Sequence, residues 1–266
     1  MERYGVEDAH RLYQRIWGSS FHFGRWEAGV TSIEDAVLCC KMRIGEALAL
    51  DTHQHALEAG SGLGETARFL ANAYDCHVTA TNISEMHLHE CIARTDKANM
   101  SASVTCAYAD YHAMPFEDGY FDAYVMQEAL VHATDKPRVM AEAFRVLKPG
   151  GRMVFTDQTT MVETLSKADC DRIIERHGSP DLFDAAAFER AAEQAGFHIL
   201  ANQDWSSHMA RHFAELVLCL ESDYAVLARD IDPVVIDWNL DTWRFARDKA
   251  CDSAMGWVFI AAEKPA

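Results

Sequence analysis

Apolar and polar positions follow two alternating patterns along the chain from residue 53 onward. Short runs of β-branched and other apolar residues predict strands, and the longer segments between them have the spacing of amphipathic helices. This alternation is typical of βαβ units, whose strands form a parallel sheet. The strands are predicted near residues 54–59, 76–82, 103–109, 121–126, 152–157, 197–203 and 256–263.

The segments between the first five strands carry helix start and stop signals. Helices are predicted to begin near Gly64, Ser84 and Pro137, with a further helix near residues 112–118. Ser84 suits a helix N-cap because its hydroxyl can accept from a backbone N–H of the first turn, where proline is also tolerated. The sequence LKPGG at residues 147–151 predicts a helix stop and a turn before the fifth strand.

The final predicted strand is separated from the sixth by residues 205–255, whose pattern is largely helical. A late strand that returns beside the sixth can pair with it antiparallel, which gives a seven-stranded sheet instead of the all-parallel dinucleotide fold. The predicted fold class is therefore α/β, with a Rossmann-like sheet of seven strands whose last strand is antiparallel. Residues 1–50 are predicted to form an N-terminal helical segment that makes a substrate lid together with the helical insertion before the last strand.

Three glycines stand within five positions in the stretch LEAGSGLGETARFL, residues 57–70, between the first strand and a helix. The dinucleotide fingerprint G-x-G-x-x-G would need its third glycine at position 65, where this chain has Glu65. A P-loop would need Gly-Lys-Ser/Thr after the turn, and this chain has Gly-Glu-Thr. Because Glu58 and Glu65 flank the turn, a cationic or zwitterionic ligand fits better than a pyrophosphate.

Length and charge narrow the classes of partner. With 266 residues, 49% of them apolar, the chain can bury one large core. The formal net charge of -17 disfavours nucleic acid and anionic membranes, since both are bound through basic surfaces. The eight cysteines include no C-x-x-C pair, and no apolar run approaches the roughly 18 residues of a membrane span. These features predict a cytoplasmic protein without a metal site that acts on a small molecule, as a monomer or homodimer.

Polar residues recur where strands of the predicted sheet end. Asn82 ends the second strand, Asp110 follows the third, and Gln127, Glu128 and His132 follow the fourth. Ligands of doubly wound sheets bind outside the carboxyl ends of the strands. Together with the glycine turn after the first strand, these residues predict one ligand site.

This combination resembles the class I S-adenosylmethionine-dependent methyltransferases. LEAGSGLG stands as their E/D-x-G-x-G-x-G turn, and YAD with MPFEDGYFD stands as the stretch that follows their third strand, so that the resemblance covers residues 53–160. It implies that Gly60, Gly62 and Gly64 let the methionine part of the cofactor lie against the backbone, while Glu58 faces its ammonium group. A sulfonium that carries an ammonium also explains why carboxylates flank the turn.

The same resemblance implies three further contacts with the cofactor. Asn82 would contact the ribose hydroxyls, Asp110 the adenine amino group, and Gln127 the amino-acid end. Asn82 departs from the more common Asp or Glu, which keeps one acceptor and removes the charge. The predicted single methyltransferase domain spans residues 1–266, divided into the lid segment 1–50, the cofactor-binding core 51–204, the helical cap 205–255 and the final strand 256–266.

A narrower resemblance extends over nearly the whole chain. The stretches RLYQRIWGSSFHFGRW, QEALVH, RHFAEL at residues 211–216 and GWVFIAAEK look like the sarcosine/dimethylglycine N-methyltransferases that make glycine betaine. This resemblance implies methyl transfer to the nitrogen of a small amino-acid-like amine by in-line displacement, which depends mainly on the positioning of the reactants. His132 is the candidate for orienting the substrate or taking a proton.

A quaternary ammonium product is bound by aromatic faces, and a substrate carboxylate by cations or hydrogen-bond donors. The candidates for the aromatic wall are Tyr13, Trp17, Trp26 and Trp205. The candidates for the carboxylate are Arg211 and His212, with Arg25 behind them. His208, Arg211 and His212 have the spacing of one helical face, which also suits a metal, but no carboxylate or fourth ligand accompanies them.

Other functions remain open at this stage. Methylation of carbon, oxygen or sulfur on another small metabolite would use the same cofactor site. A nicotinamide-dependent oxidoreductase is opposed by Glu65 and by the C-terminal strand after a helical insertion. A binding protein without catalysis is opposed by the intact glycine turn with Glu58 and Asp110.

Overall fold

The computed structural model describes the backbone of residues 3–266 and the side chains from residue 7 onward. The chain divides into two compact units. Unit 1 consists of the residues up to Cys40 together with Trp205–Gly256, and unit 2 of Lys41–Asp204 together with Trp257–Ala266. The lid role and the division into one domain with four parts stay predictions.

Unit 2 is built on a seven-stranded sheet in the order β3-β2-β1-β4-β5-β7-β6. Its strands are β1 His55–Ala59, β2 His77–Asn82, β3 Val104–Tyr108, β4 Phe121–Gln127, β5 Leu147–Thr160, β6 His198–Asp204 and β7 Met255–Glu263. The pairs β1/β2, β2/β3, β1/β4 and β4/β5 are parallel, and β7 runs antiparallel to β6. The predicted seven-stranded sheet with an antiparallel last strand is confirmed.

Helices follow four strands of the sheet in unit 2, and three of these helices begin where the sequence predicts. In unit 2 they are α3 Glu65–Tyr74, α4 Glu85–Lys97, α5 Lys136–Val146, α6 Lys167–His177 and α7 Ala185–Ala195, with short 3-10 helices at Leu130–His132 and Val162–Thr164. Ser84 is the N-cap of α4, where its side chain accepts from the His87 N–H, and Pro137 lies in the first turn of α5. Both helix starts are confirmed.

The core of unit 2 forms because α5 and β4 each present a buried apolar surface. On α5, Val139, Met140, Ala143 and Val146 recur at helical spacing and are at most 1% exposed. They belong to one apolar cluster with β4 residues such as Tyr124. This packing stabilises the sheet whose carboxyl edge carries the candidate site.

Unit 1 contains three helices in mutual contact and part of a fourth. They are α1 Arg3–Ile16, α8 Ser206–Leu227 and α9 Pro233–Cys251, and the division between units falls inside α2 Ile33–Leu48. On α8, Phe213, Leu216, Val217 and Leu220 form a buried stripe at i, i+3, i+4 and i+7. This spacing buries one face of the helix.

The helix predicted near residues 112–118 is wrong, because that segment forms turns. The Arg145 guanidinium donates to the carbonyls of Phe116 at 2.7 Å and Met114 at 3.0 Å. The Met114 N–H donates to a Glu142 carboxylate oxygen at 2.9 Å. These backbone groups bond to side chains of α5, whereas a helix would pair them with one another.

The turn predicted at 147–151 is also wrong, although α5 does end at Val146. These residues form the first part of β5, where Gly150 adopts a φ of 76° and donates its N–H to the Lys264 carbonyl. The register with β4 shifts between Phe121 and Ala123. A strand irregularity at a left-handed glycine thus replaces the predicted turn.

Candidate active site

The carboxyl ends of β1 and β4 lie side by side at the point where the strand order reverses. Glu58 in β1 pairs with Val125 in β4, and Gln127 ends β4 beside Thr156 of β5. Such a switch point opens a crevice for a ligand. The seven predicted cofactor residues and His132 all belong to unit 2, and they lie at or just beyond the carboxyl ends of β1, β2, β3 and β4.

The glycine turn after β1 has a left-handed backbone at each glycine. The φ angles are 71° at Gly60, 51° at Gly62 and 70° at Gly64. This region costs an L-residue with a side chain about 1–2 kcal/mol, so that glycine is the favoured residue. The turn is tied to β2, because the Ser61 N–H donates to the Thr81 carbonyl at 2.9 Å.

Two of the glycines are also required for space. A Cβ on Gly60 would lie 2.7 Å from the Ala129 Cβ, and a Cβ on Gly64 would overlap the Cys91 Sγ. A Cβ on Gly62 would meet no protein atom within 4 Å. Nearby, the Ser61 hydroxyl is buried and has no hydrogen-bond partner among the described residues. A backbone open at Gly62, beside a buried polar atom, fits a cofactor lying against the turn.

Glu58 serves the turn as a helix cap. Its residue is 1% exposed, and its Oε2 accepts from the Ala67 N–H in the first turn of α3 at 2.9 Å. The residue before α3 is Gly64, which has no side chain to cap the helix. A carboxylate at a helix N-terminus is favourable because the first N–H groups have no partner within the helix.

Asn82 ties the end of β2 to the glycine turn. Its Nδ2 donates to the Gly62 carbonyl at 3.3 Å, and its Oδ1 accepts from the Ser84 N–H at 2.9 Å. The amide therefore holds the carbonyl of the glycine whose Cα faces open space. A side-chain amide has two donor hydrogens and two acceptor lone pairs, so these bonds leave capacity for a ligand.

Asp110 follows β3 and is oriented by His112. Its Oδ1 accepts from the backbone N–H of His112 at 2.9 Å and contacts the His112 Nδ1 at 2.8 Å. Desolvation alone would raise the pKa of Asp110, but the two hydrogen bonds and the charge of His112 together lower it. The carboxylate is held ionised, which suits an acceptor for an amino group.

Gln127 joins β4 to the first turn of α3. The Thr66 Oγ1 donates to the Gln127 Oε1 at 2.5 Å, and both residues are buried. The orientation of the Gln127 amide is therefore set by the helix that begins at the glycine turn. This bond links the end of β4 to the helix that follows β1 through the glycine turn.

His132 lies on the short 3-10 helix after β4. Its Nδ1 is 2.7 Å from the His177 carbonyl, and because a carbonyl can only accept, Nδ1 carries the hydrogen. The Nε2 of the neutral ring is then the proton acceptor. Desolvation by the residues around the ring lowers the pKa of His132, while the bond to the His177 carbonyl opposes that shift. The residue still keeps part of its surface in contact with solvent. The ring is thus oriented as a neutral base.

Sequence reasoning missed a buried polar network that holds the loop carrying His132. Asp157 on β5 is 0% exposed, and its Oδ2 accepts from the Val131 N–H at 3.0 Å. Desolvation, followed by the charge of Glu128, raises the pKa of Asp157 to about 8. An acid at the end of an apolar run was a usable signal for Asp157.

Lys136 belongs to this network and is buried in the first turn of α5. Its Nζ donates to the Ala133 carbonyl at 3.1 Å and to the Ser179 Oγ at 3.2 Å. Desolvation lowers the pKa of Lys136, against the attraction of Asp157. Lys136 and Ser179 are 43 residues apart, so no local sequence signal could have found the bond between them.

The six predicted substrate residues all belong to unit 1, and five of them form a chain of ring contacts. Tyr13 stacks on Trp17 with ring centroids 5.5 Å apart, Trp17 is 5.3 Å from His212, and His212 is 6.0 Å from Trp26. The Arg211 Cζ lies 4.5 Å from the centroid of Trp26. This series of contacts therefore links aromatic rings with a buried histidine and a cationic guanidinium.

Trp205 packs against a different cation. Its ring is 4.6 Å from the Arg25 Cζ, and Arg25 also pairs with Glu27 at 3.0 Å. One face of Trp205 thus already carries a cation, as one face of Trp26 does. Among the described residues, no cluster of three or more His, Cys, Asp or Glu side chains could hold a metal ion.

Comparison with known proteins assigns the class of this fold and site. Residues 57–155 match a family described as a methyltransferase domain. Residues 57–155 therefore form a methyltransferase domain, and the protein is an enzyme that uses S-adenosylmethionine as its cofactor. None of the helices in residues 3–266 has the length and apolar character needed to cross a membrane.

Relatives of known name that resemble this chain differ in what they methylate. A glycine/sarcosine/dimethylglycine N-methyltransferase of Actinopolyspora halophila is 27% identical over 82% of this chain, which spans 39% of that relative's length. A sarcosine/dimethylglycine N-methyltransferase of Halorhodospira halochloris is 29% identical over 80% of this chain and 77% of the relative. A 27-O-demethylrifamycin SV methyltransferase of Amycolatopsis mediterranei (strain S699) is 27% identical over 96% of this chain and 93% of the relative.

A solved structure supports the fold over the same span. The crystal structure of a proposed sarcosine dimethylglycine methyltransferase from Galdieria sulphuraria superimposes with a TM-score of 0.90. It covers 98% of each chain at 23% sequence identity. At that identity the likeness shows the fold, and the acceptor has to be argued from the residues.

Proposed function

We propose that this enzyme transfers a methyl group to the nitrogen of a small amino-acid-like amine of the sarcosine/dimethylglycine type, towards glycine betaine. The observation that supports this proposal most is the series of ring contacts in unit 1. Tyr13, Trp17 and Trp26 offer faces that attract a methylated ammonium, and His212 and Arg211 among them suit a carboxylate. Two relatives that are named as N-methyltransferases of sarcosine and dimethylglycine support the same acceptor.

Seven residues are proposed to bind the cofactor. Gly60, Gly62 and Gly64 place backbone against its methionine part, and the buried Glu58 carboxylate faces its ammonium group while capping α3. The remaining contacts are Asn82 with the ribose, Asp110 with the adenine amino group and Gln127 with the amino-acid end. In Asp110 the bonds to His112 engage Oδ1, so that Oδ2 is the proposed acceptor.

The bound cofactor supplies a methyl group on a positively charged sulfur, and the residues of this chain position the acceptor for in-line displacement. Alignment of reactants is worth at most about 7–11 kcal/mol of the barrier. A tertiary amine such as dimethylglycine has no proton to lose afterwards. For a secondary amine such as sarcosine, the proposed role of His132 is to accept the proton at Nε2.

Methylation of oxygen is the second candidate function. The observation that favours it is the geometry of His132, whose Nδ1–H is fixed by the His177 carbonyl so that Nε2 can take a proton from a hydroxyl. The similarity to the rifamycin O-methyltransferase over 96% of this chain points the same way.

Incubation with methyl-labelled S-adenosylmethionine tests the two functions against each other. The acceptor panel contains sarcosine, dimethylglycine, small thiols and phenols, and mass spectrometry identifies which compound gains the label. We expect label in sarcosine or dimethylglycine. Label only in a hydroxyl or thiol compound would replace the amine proposal. S-Adenosylhomocysteine should raise the melting temperature and NADH should not, which separates the cofactor assignment from the acceptor assignment.

A further inference from the structure

Two histidines on one face of α8 hold the segment that carries Trp26. The Gly24 N–H donates to the His212 Nδ1 at 3.1 Å, and the Trp26 N–H donates to the His208 Nδ1 at 3.1 Å. Residues four apart on a helix lie on one face, which explains why these two histidines act as a pair. The segment 24–26 is therefore fixed to α8 by its backbone.

The bond from Gly24 decides which nitrogen of His212 carries the hydrogen. Because Nδ1 accepts, the neutral ring must carry its hydrogen on Nε2. The residue is 0% exposed, and burial lowers the pKa of His212 to about 3, so that the ring is neutral at physiological pH. His212 thus presents a buried N–H donor, which is one of the two kinds of group predicted for the substrate carboxylate.

Trp26 presents a second donor beside the first. Its residue is 6% exposed, and its ring centroid is 6.0 Å from that of His212. Neither the Trp26 Nε1 nor the His212 Nε2 has a hydrogen-bond partner among the described residues. Buried donors in native proteins are almost always bonded, so two adjacent ones without an acceptor point to a ligand that supplies acceptors.

The chemistry of the two groups selects the ligand class. Both are donors, so an ammonium end is excluded and an oxygen acceptor is required. The guanidinium of Arg211 lies 4.5 Å over the Trp26 ring and adds positive charge. A carboxylate fits the two N–H donors and the nearby positive charge, because it is anionic and can accept two hydrogen bonds. The Trp243 Nε1 also has no hydrogen-bond partner among the described residues. Its ring packs against Tyr13 and Trp17, and it is not included in the carboxylate site.

We propose that the His212 Nε2–H and the Trp26 Nε1–H together bind the carboxylate of the methyl acceptor. This inference rests on the proposed amino-acid-like substrate, and it names the two atoms that recognise its carboxylate. In this proposal Arg211, which packs on the ring of Trp26, contributes the positive charge that attracts the carboxylate.

Indole N–H signals in NMR spectra of the ¹⁵N-labelled protein, saturated with S-adenosylhomocysteine, test the site without turnover. The chain has six tryptophans, and Trp26→Phe assigns the relevant signal. Titration with dimethylglycine should shift the Trp26 signal downfield, whereas N,N-dimethylglycinamide and sodium chloride should leave it in place. Trp257 is the internal control, since its Nε1 already donates to a Glu128 carboxylate oxygen at 2.9 Å and it is not among the proposed substrate contacts.

Two substitutions of His212 separate binding from folding. Asn places its amide oxygen near the position of Nδ1, so His212→Asn keeps the acceptor for Gly24 and removes the ligand donor. Gln places its amide nitrogen near Nε2, so His212→Gln does the reverse. We expect His212→Asn to raise KM for dimethylglycine about 10-fold or more with little change in melting temperature, and His212→Gln to lower the melting temperature with a smaller change in KM.

The outcomes distinguish this site from the proposed function. If dimethylglycine is methylated but its titration leaves the Trp26 signal unmoved, the carboxylate site is overturned and the function stands. If acetate or glycine betaine shifts Trp26 while no amine is methylated, the site is supported and the amine function falls. A His212→Asn variant with unchanged KM for dimethylglycine also overturns the site.

Discussion

Alanine substitutions in the glycine turn should separate the cofactor's requirement for glycine from the fold's requirement. Gly62→Ala places a Cβ where no protein atom lies within 4 Å, so its cost to the fold is the left-handed backbone alone, about 1–2 kcal/mol. Gly150→Ala is the matched control, because its φ is 76°, its Cβ also meets nothing, and it lies at the amino end of β5. Both variants should melt about 2–8 °C lower than the unmodified chain.

Gly64→Ala combines the same strain with a collision. Its Cβ would overlap the Cys91 Sγ, which adds an overpacking cost of about 1–3 kcal/mol. Removing that sulfur leaves the Cys91 Cβ 3.6 Å away, which is an ordinary contact, and the Arg68 Nη1 at 3.1 Å, which is the end of a flexible side chain that can shift. The double variant Gly64→Ala/Cys91→Ala should therefore recover about 1–3 kcal/mol relative to the sum of the single variants, a coupling that a double-mutant cycle measures.

Calorimetric melting without cofactor and titration with S-adenosylhomocysteine provide the two readouts. Gly62→Ala should weaken binding about 10-fold or more, about 1.4 kcal/mol, because its methyl group occupies space that the cofactor needs. Gly150→Ala should leave the dissociation constant within about 2-fold, a difference of about 0.4 kcal/mol. Equal affinities for Gly62→Ala and Gly150→Ala would refute the reasoning that the cofactor lies against Gly62. Equal melting temperatures for Gly62→Ala and Gly64→Ala would refute the assigned role of Cys91.

Three further variants probe the charged and titratable groups. Glu58→Gln keeps an oxygen that can accept from the Ala67 N–H but removes the negative charge. S-Adenosylmethionine should therefore bind about 10-fold more weakly, with only a small change in melting temperature. An unchanged affinity would contradict the contact between Glu58 and the ammonium group. His132→Asn keeps a donor for the His177 carbonyl and removes the proton-accepting Nε2. The kcat should therefore fall about 100-fold with sarcosine as substrate and much less with dimethylglycine. Equal losses of kcat on both substrates would exclude a proton-accepting role for His132. Since burial lowers the pKa of His212 from 6.5 to about 3, the unfolded chain binds a proton that the folded chain does not in this window, and stability falls as the pH decreases through it. Between pH 6.5 and 5 the loss of stability from His212 should be about 1.6 kcal/mol, and His212→Asn should abolish this contribution. An unchanged pH dependence of unfolding in the variant would contradict the buried neutral ring.

The fold was predictable because its signals are local. Period and turn chemistry depend on residues within one element, and the seven predicted strands and the starts of α3, α4 and α5 all appear in the structure. The exception at 112–118 has a tertiary cause, since Arg145 on α5 takes the carbonyls of Met114 and Phe116. A long-range hydrogen bond there overrides a local preference.

The candidate site was predictable only in part. Position at a strand end identified Asp110, Gln127 and His132, because parallel strands bring such ends to one edge. Sequence position carries no information about which ring nitrogen of His132 holds a hydrogen, or about the buried Asp157 and Lys136 that surround its loop. Those properties depend on burial and on partners far along the chain.

The sequence by itself therefore determined the order of the elements, the position of the glycine turn, and the class of cofactor that fits a turn flanked by carboxylates. Only the tertiary structure decided the protonation and direction of the polar groups. His212 is a neutral donor because its Nδ1 is bonded to Gly24, 188 residues away, and because folding removes the ring from water. A pKa and a tautomer are set by the surroundings of a side chain, and the folded chain is what creates those surroundings.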